Sequence, residues 1–376
     1  MKIDFYKHSL IDEDIQYTAR VLRSVFLTTG PICAEFEKRF SDFVGIKHTI
    51  GLSSCTAAIQ LALHALGVGP GDEVITTPMT FIATATAILH AGATPIFVDI
   101  DAETGLIDPD LIESVITPKT KAILPVHLYG TMADMRTLRS IADRYGLFLV
   151  EDAAHCIEGE RDGLRPGQVS DAVCYSFYAT KNLTCGEGGA LATNDKRLAQ
   201  KVHTLRQHGM SMEATDRYHG LYKHWDMVDL GWKYNLDDIR AALLINQLDR
   251  LASCWEKRHR LYTKYCELLG DIDILTMPEL RGKSAYHLFT IHVPSQLRDP
   301  LLQYLGKRGI GVAVNYRAIH TLTWFENNFG FQAKDFPNAR VFGEKTISIP
   351  FYPDLGDEAI NKVADAVRSG LNKDFL

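Results

Sequence analysis

The central part of the chain alternates short apolar runs with stretches of helical spacing, and this alternation is the strongest constraint on its fold. The apolar runs predict strands at His48–Leu52, Glu73–Thr76, Thr94–Val98, Lys121–Pro125 and Leu147–Val150. Helical stretches at 108–116 and 132–145 separate the later strands, and an alanine-rich helix follows Phe81. Short buried strands joined through helices are typical of a mainly parallel sheet with helices on both faces. We therefore expect an α/β fold.

Polar side chains follow three of these strands, where such a sheet usually binds its ligand. Ser54 follows the first strand, His127 the fourth and Asp152 the fifth. In open parallel sheets, ligands bind outside the carboxyl ends of the strands. The segment Ser53–Thr56 also turns directly into a helix, where backbone N–H groups and hydroxyls form an anion site. Simple capping by serine or threonine explains the same residues, so both interpretations stay open.

A polar, glycine-rich turn between two strand-like runs contains Lys181. The stretch 174–193 places this lysine next to Asn182. Such an amine is a surface charge, a phosphate ligand, or the amine that forms an imine with a carbonyl compound. Upstream, Asp152 closes a strand, and a carboxylate there can pair with the pyridine nitrogen of pyridoxal phosphate (PLP) while a lysine holds its aldehyde. A solvated lysine and a capping aspartate explain each residue alone; together they favour a PLP site.

Length, charge and cysteine usage limit the classes of protein to consider. The chain has 376 residues, beyond the roughly 250–300 at which one core usually stops growing. We expect a large PLP-binding α/β domain with an N-terminal arm at 1–250 and a small C-terminal α+β domain at 251–376. A net charge of −6 without a dense basic run argues against nucleic-acid binding. The absence of a membrane-spanning run or signal peptide predicts a cytoplasmic protein, and scattered cysteines predict no disulfide framework.

The predicted small domain follows a long helix. The chain is irregular from His208 to Asp229, and a polar loop from Gly231 leads into an amphipathic helix that runs through Tyr265. The elements predicted after that helix are strands Leu288–Val293 and Gly311–Val314 and helices 298–308 and 357–370. The elements predicted before the sheet are helices at 9–25 and 34–44.

Several motifs, in the same order, resemble the DegT/DnrJ/EryC1/StrS sugar aminotransferases nearly from end to end. They are Thr28-Thr-Gly-Pro31, Ser53-Ser-Cys-Thr56, Gly71-Asp-Glu-Val-Ile75, Thr80-Phe-Ile-Ala83, Pro125-Val-His127, Glu151-Asp-Ala-Ala-His155, Ser176-Phe177, Lys181-Asn182, Gly186-Glu-Gly-Gly189 and Tyr234-Asn235. Segments 181–189 and 316–320 look nearest to enzymes that aminate UDP-linked 4-keto sugars, such as UDP-4-amino-4-deoxy-L-arabinose aminotransferase and PseC-like enzymes. The resemblance implies the fold of the aspartate aminotransferase superfamily (fold type I) and a homodimer with two composite active sites.

The resemblance also implies roles for individual residues. Lys181 would form the imine with the cofactor, and Asp152 would pair with the pyridinium nitrogen. Phe81 would cover one face of the ring, Ala154 would support the other, and His155 would lie near the 3-hydroxyl group. The phosphate contacts implied are the backbone N–H groups of Cys55 and Thr56, the hydroxyl of Ser176, and Asn235 of the second subunit.

Three positions depart from the family pattern. Cys55 stands where glycine or alanine is usual, His155 where glutamine is frequent, and Asn315 where many members have histidine before an aromatic residue. The residues predicted to contact the substrate are Thr29, Lys233, Tyr316, Arg317 and His320. A solvated face explains Lys233 and Arg317 equally well. The other histidines lack metal-ligand spacing, so we predict no metal site and expect ordinary surface or core roles for them.

These implied roles predict ping-pong transamination. L-Glutamate would give its amino group to the cofactor, and the pyridoxamine phosphate (PMP) form would pass it to the 4-keto carbon of a UDP-linked sugar, in lipopolysaccharide or surface polysaccharide biosynthesis. The alternatives are amination of a 3-keto sugar, a PLP-dependent sugar dehydratase and a non-catalytic PLP-binding regulator. A dehydratase of this kind has histidine in place of Lys181, and a cysteine desulfurase would need an activated Cys185.

Overall fold

The computed structural model describes residues 2–212 and 224–371, and its elements follow the predicted alternation of strands and helices. The helices are α1 (Asp12–Val21), α2 (Pro31–Val44), α3 (Cys55–Ala65), α4 (Ile82–His90), α5 (Met135–Tyr145), α6 (Lys196–Leu205), α7 (Asp238–Leu269), α8 (Ser295–Lys307), α9 (Thr323–Phe329), α10 (Pro337–Lys345) and α11 (Asp357–Leu371). The strands are β1 (His48–Leu52), β2 (Glu73–Thr76), β3 (Thr94–Phe97), β4 (Thr120–Ile123), β5 (Phe148–Asp152), β6 (Ala172–Ser176), β7 (Gly189–Thr193), β8 (Phe289–His292) and β9 (Thr346–Ile349). Of the segment predicted to be irregular, 213–223 lies outside the described residues.

Seven strands form one sheet in the order β1-β7-β6-β5-β4-β2-β3. Strands β3, β2, β4, β5 and β6 are parallel neighbours, whereas β7 runs antiparallel to both β6 and β1. Strand β1 therefore runs in the same direction as the parallel strands. The carboxyl ends of β1, β2, β4, β5 and β6 consequently meet at one edge of the sheet. The prediction of a mainly parallel sheet is confirmed.

Helix α3 begins at this edge and is fixed there by packing on several sides. It contacts β5, β6 and β7 of the sheet, and also α4 and α6. This explains its sequence, because nearly every residue from Cys55 to Leu63 is buried and apolar. The Ser54 side chain accepts a hydrogen bond from the Ala57 N–H at 3.1 Å and so begins the helix. The start of α3 is therefore held rigidly beside β7.

A second buried cluster surrounds the two-stranded sheet of β8 and β9. Their antiparallel pairing sets Phe289 opposite Ile349, and this apolar face packs against Leu261 and Tyr265 of α7. The same cluster includes side chains of α8 and α11, whereas the first half of α7 packs on α1 and α2. Helix α7 is continuous through residue 250. The predicted boundary between domains 1–250 and 251–376 stays a prediction.

The predicted strand at Gly311–Val314 is wrong. Ala313 forms an isolated bridge with Ser348, and the partner of β8 is the later strand β9. The Gly311 N–H instead donates to the carbonyl oxygen of Ile3 at 2.8 Å. This segment therefore pairs with the start of the chain, which a pattern of apolar residues does not reveal.

Other differences concern helix lengths. The helical stretch predicted at 108–116 consists of two short 3-10 turns, Pro109–Leu111 and Glu113–Val115, the first of which is capped by Asp108. The helix predicted at 9–25 is shorter, because α1 covers Asp12–Val21. Helices α6, α9 and α10 were not predicted.

Candidate active site

A cavity of about 510 Å³ opens at the shared edge of the sheet. It lies within the range of roughly 300–1,000 Å³ that is typical of small-molecule sites. The predicted cofactor residues of this chain that line it are Cys55, Thr56, Phe81, Asp152, Ala154, His155, Ser176 and Lys181. They come from the ends of β5 and β6 and from the segments that follow β1, β2, β5 and β6. The topology thus gathers residues that are far apart in the sequence.

Lys181 lies in a tight turn after β6. Its backbone N–H donates to the Tyr178 carbonyl oxygen at 2.9 Å, and Tyr6 donates its hydroxyl to the Lys181 carbonyl oxygen at 3.5 Å. Burial lowers the pKa of the Lys181 amine to about 8, although the charge of Asp152 opposes this decrease. An amine with this pKa can exchange its proton near neutral pH, which an ordinary surface lysine cannot do.

Asp152 is the last residue of β5, and its carboxylate is held by two donors. Thr84 of α4 donates its hydroxyl to Oδ2 at 2.8 Å, and the Ala154 N–H donates to Oδ1 at 3.1 Å. The Cys55 thiol lies 3.9 Å from Oδ1. Burial and the nearby Asp152 charge raise the pKa of this thiol well above its usual value, so it stays protonated. The carboxylate is thus fixed in direction toward the cavity it lines.

The start of α3 fits a phosphate group. The first N–H groups of a helix have no partner inside the helix, and here those of Cys55 and Thr56 lie in residues that line the cavity. Gly189 allows β7 to approach this helix start closely, because a Cβ there would lie 2.4 Å from the Cys55 nitrogen. Ser176 lines the same cavity, and its hydroxyl accepts the Tyr178 N–H at 3.3 Å. The donor set therefore matches the anchor expected for PLP.

Aromatic residues surround the space between Lys181 and α3. Phe81, at the start of α4, keeps 52% of its surface exposed and lies 5.6 Å from the Tyr316 ring, measured between centroids. The Tyr316 hydroxyl lies 3.2 Å from Nε2 of His155. A large aromatic ring left this exposed beside a cavity is available to stack on a ligand. This exposure also means that Phe81 is not a core side chain.

Behind Lys181, its neighbour Asn182 joins three parts of the chain. The Asn182 amide donates to Glu158 Oε2 at 3.0 Å and to the Ala285 carbonyl oxygen at 2.9 Å. Buried Arg258 of α7 forms an ion pair with Glu158 and donates through Nε to the same carbonyl oxygen at 3.3 Å. A buried network of hydrogen bonds and one ion pair thus stabilises the turn that contains Lys181.

His287 belongs to the cavity, although the sequence suggested an ordinary role. Its ring lies 4.3 Å from that of His155 between centroids, and its Nδ1 lies 3.3 Å from Asn182 Oδ1. Burial and the charges of Lys181 and Arg258 lower the pKa of His287 well below 6.5, so the ring is neutral. No sequence motif marks His287. Its place follows from the pairing of the 285–287 segment with Gly130 and Tyr129.

Five predicted residues do not line this cavity of their own chain. They are Thr29, Asn235, Lys233, Arg317 and His320. Asn235 donates its amide to the Thr29 hydroxyl at 2.6 Å, and that hydroxyl donates to the Leu236 carbonyl oxygen at 2.6 Å. The contact of Asn235 with a second subunit's phosphate site stays a prediction.

The remaining three residues lie in different surroundings. Lys233 is exposed, and its backbone forms an isolated antiparallel β-bridge with Gln207. Arg317 is also exposed, and its guanidinium group donates to the Thr321 carbonyl oxygen at 3.1 Å. Their predicted substrate contacts stay predictions. His320 is fully buried, with its ring 5.0 Å from that of Phe336 between centroids. Its packing inside the protein gives no support to substrate contact, whereas Tyr316 does line the cavity.

Cys185 lacks the activation that a desulfurase nucleophile needs. It is buried, its thiol lies 3.2 Å from the Glu187 carbonyl oxygen, and burial raises its pKa to about 12. In the residues that the structure describes, no group of three or more His, Cys, Asp or Glu side chains is arranged to hold a metal ion. None of the helices at 2–212 and 224–371 is long and apolar enough to cross a membrane.

Known proteins resemble this chain over almost its whole length. Residues 8–368 match the DegT/DnrJ/EryC1/StrS aminotransferase family. The spore coat polysaccharide biosynthesis protein SpsC of Bacillus subtilis (strain 168) is 41% identical over 365 residues, which cover 95% of this chain and 94% of SpsC.

Solved structures agree with this match. Spr1654 of Streptococcus pneumoniae, in its PLP form, has a TM-score of 0.91 at 30% identity and covers 99% of this chain and 100% of its own. PseC of Helicobacter pylori, an aminotransferase involved in the biosynthesis of pseudoaminic acid, has a TM-score of 0.92 at 28% identity, with 98% and 99% covered. The predicted family, the fold type I architecture and the PLP/PMP cofactor are confirmed.

Proposed function

The chain belongs to the DegT/DnrJ/EryC1/StrS family of PLP-dependent sugar aminotransferases, and on that premise we propose that it transfers the amino group of L-glutamate to the 4-keto carbon of a UDP-linked sugar. The observation that carries the proposal is one cavity in which an amine of lowered pKa, Lys181, interacts with the carboxylate of Asp152. Around this pair lie an anion-binding helix start and an exposed aromatic face. Each has a place in a transaminase site.

Different residues of the cavity would hold the pyridine ring and the phosphate group of the cofactor. When bound, PLP supplies an electron-withdrawing ring that stabilises negative charge on the carbon that bears the amino group. Thr84 and Ala154 fix the Asp152 carboxylate, which would stabilise the protonated pyridine nitrogen. The attraction between these two charges contributes a few kcal/mol at an effective dielectric constant of about 20. The backbone N–H groups of Cys55 and Thr56, with the Ser176 hydroxyl, bind the phosphate.

Lys181 first holds the cofactor and later moves a proton. Once an amino substrate has displaced it, its Nζ is free in a partly buried position at the cavity. With a pKa of about 8, Nζ would be able to accept a proton and to return it at near-neutral pH. Phe81 and Ala154 line the same cavity and would contact the two faces of the ring.

The substrate side of the proposal rests on sequence and on the remaining cavity wall. Segments 181–189 and 316–320 resemble those of enzymes that aminate UDP-linked 4-keto sugars. Phe5, Tyr178 and Asn315 also line the cavity, in addition to the residues expected to contact the cofactor. The likeness to SpsC, a spore coat polysaccharide biosynthesis protein, and to PseC, which is involved in the biosynthesis of pseudoaminic acid, supports a role in making amino sugars for surface polysaccharides or lipopolysaccharide. We propose that this role is carried out in the cytoplasm.

We also propose a homodimer in which Asn235 completes the partner's cavity. Asn235 points to Thr29 and lies outside its own chain's cavity. Large apolar side chains near it in sequence are exposed, including Met227 at 55% and Leu230 at 72%. The N-terminal region likewise exposes Val25 at 79%. Exposed apolar side chains of this size are typical of surfaces that a partner covers.

The test is a panel of UDP-, dTDP- and GDP-linked 3-keto and 4-keto sugars, assayed with L-glutamate and the purified holoenzyme. We expect 2-oxoglutarate and the 4-amino product with a UDP-linked 4-keto sugar, and no turnover by Lys181→Ala. Turnover confined to 3-keto sugars or to another nucleotide would contradict the proposed substrate. PLP binding without turnover of any of these sugars would favour the regulator.

A further inference from the structure

Tyr129 adopts a backbone conformation that is rare for a large residue. Its φ is 56° and its ψ is 7°, in the left-handed region, and its ring is buried. Such strain persists where the surrounding structure fixes it, often at functional sites. This conformation directs the Tyr129 N–H to Nδ1 of His155, at 3.2 Å. The Tyr129 hydroxyl donates to the carbonyl oxygen of Asn315, the residue before Tyr316.

These contacts decide which nitrogen of His155 carries the proton. Burial, together with the charges of Lys181 and His287, lowers the pKa of His155 well below 6.5, so the ring is neutral. A neutral imidazole has one N–H, and Nδ1 already accepts the hydrogen of the Tyr129 N–H. The proton therefore lies on Nε2, which is 3.2 Å from the Tyr316 oxygen and donates to it.

His155 thus has no nitrogen left for the cofactor, whereas Tyr316 has an unused hydrogen. The Tyr316 oxygen accepts the bond from His155, and the Asn315 side chain also bonds it. Burial and the Asp152 charge raise the pKa of Tyr316 above its usual value, which keeps its hydroxyl protonated. Because Tyr316 lines the cavity together with Asp152 and Lys181, this hydrogen is available to an acceptor there.

We propose that Tyr316 donates a hydrogen bond to the oxygen at C3 of the PLP ring, and that His155 is a positioning residue that acts through Tyr316. This reverses the assignment that the family resemblance gives to His155 and adds to that of Tyr316 as a substrate contact. It rests on the PLP cofactor and does not depend on which sugar is aminated. A donor at this oxygen withdraws charge from it and weakens its attraction for the proton of the neighbouring imine nitrogen.

The test is a pH titration of the visible absorbance of the holoenzyme without any sugar. Tyr316→Phe removes the donor, and we expect the pKa of the Lys181 imine to rise by about one to two units. His155→Leu should raise the pKa of the imine by less, because the Tyr316 hydroxyl remains but loses its hydrogen bond from His155. In the double variant, His155→Leu should add nothing to Tyr316→Phe. Tyr145→Phe, at an exposed tyrosine paired with Glu113, should leave the titration unchanged.

Two results with the variants would overturn the inference. One is an unchanged imine pKa in Tyr316→Phe; the other is a pair of additive shifts, which would mean that His155 contacts the ring itself. A wild-type measurement guards against variants that fold poorly. Nitrogen chemical shifts of the His155 ring should show a neutral ring protonated on Nε2, and protonation on Nδ1 would overturn the proposal. Failure of the sugar assay with normal titrations would count against the proposed substrate and leave this inference standing.

Discussion

Thr84 donates its hydroxyl hydrogen to Asp152, with 2.8 Å between Oγ1 and Oδ2. The bond joins helix α4 to the end of strand β5 and is fully buried. A Thr84→Val substitution keeps the shape but leaves one carboxylate oxygen without its partner. We expect the Kd for PLP to rise about fivefold to tenfold, since a net hydrogen bond is worth about 1 kcal/mol. Fluorescence titration of the apoprotein with PLP measures this Kd. Thr86→Val, on the same helix but bonded to the Ala83 carbonyl oxygen, is the control.

Lys181→Ala should abolish the visible absorbance of the bound cofactor. The side chain supplies the amine at the cavity, with a pKa of about 8. The variant should still bind PLP, because the phosphate contacts at Cys55 and Thr56 are intact, yet borohydride should no longer fix the cofactor to the protein. Lys119→Ala, at an exposed lysine outside the cavity, should keep the absorbance of the wild type. A visible band that survives in Lys181→Ala would contradict the assignment.

Gly189→Ala should block the phosphate site. The added Cβ would lie 2.4 Å from the Cys55 nitrogen and 2.4 Å from the carbonyl carbon of Ser54, both backbone atoms of a helix start that cannot move easily. PLP affinity should fall at least tenfold while the apoprotein remains folded, as circular dichroism would show. Gly306→Ala, where a Cβ meets nothing within 4 Å, gives the comparison. Equal cofactor affinity in both variants would place the phosphate elsewhere.

His287 should make the protein sensitive to acid. Its pKa is lowered well below 6.5 in the folded protein, first by burial and then by Lys181 and Arg258. In the unfolded chain, His287 binds a proton at about pH 6.5. The stability that the neutral His287 contributes is therefore fully present above that pH and is lost as the pH falls toward the lowered pKa of the folded protein. Urea unfolding of His287→Gln should therefore depend less on pH below about 6.5. The exposed His90→Gln should retain the wild-type dependence; identical slopes in both variants would refute the prediction.

The buried pair of Arg258 and Glu158 should be costly to break. Arg258→Met leaves the Glu158 carboxylate buried without a countercharge, which typically lowers the free energy of unfolding by about 3–5 kcal/mol. Lys264→Met removes one half of a solvent-accessible pair with Asp357, in which Nζ and Oδ1 are 2.8 Å apart, and should lower the free energy of unfolding far less. Denaturant unfolding compares them. Similar losses would mean that the buried network does not support the lysine turn.

Local patterns predicted the sheet well, because its strands carry their own signals. The segment Glu73–Thr76 has the predicted bounds, and Asp152 and Lys181 share one cavity as their spacing around β5 and β6 suggested. What failed depends on distant partners. The segment Gly311–Val314 has the composition of a strand, but β8 pairs with β9. His287 reaches His155 through long-range packing, which no local motif encodes.

Helix α7 begins three residues after Asn235 and carries Arg258 twenty positions further along. At about 1.5 Å per residue, this stretch is a rod of about 30 Å. In the proposed dimer, the end of this stretch near Asn235 would lie at the partner's active site, and the end at Arg258 would lie at the active site of its own chain. A disturbance of this helix would then affect both active sites at once.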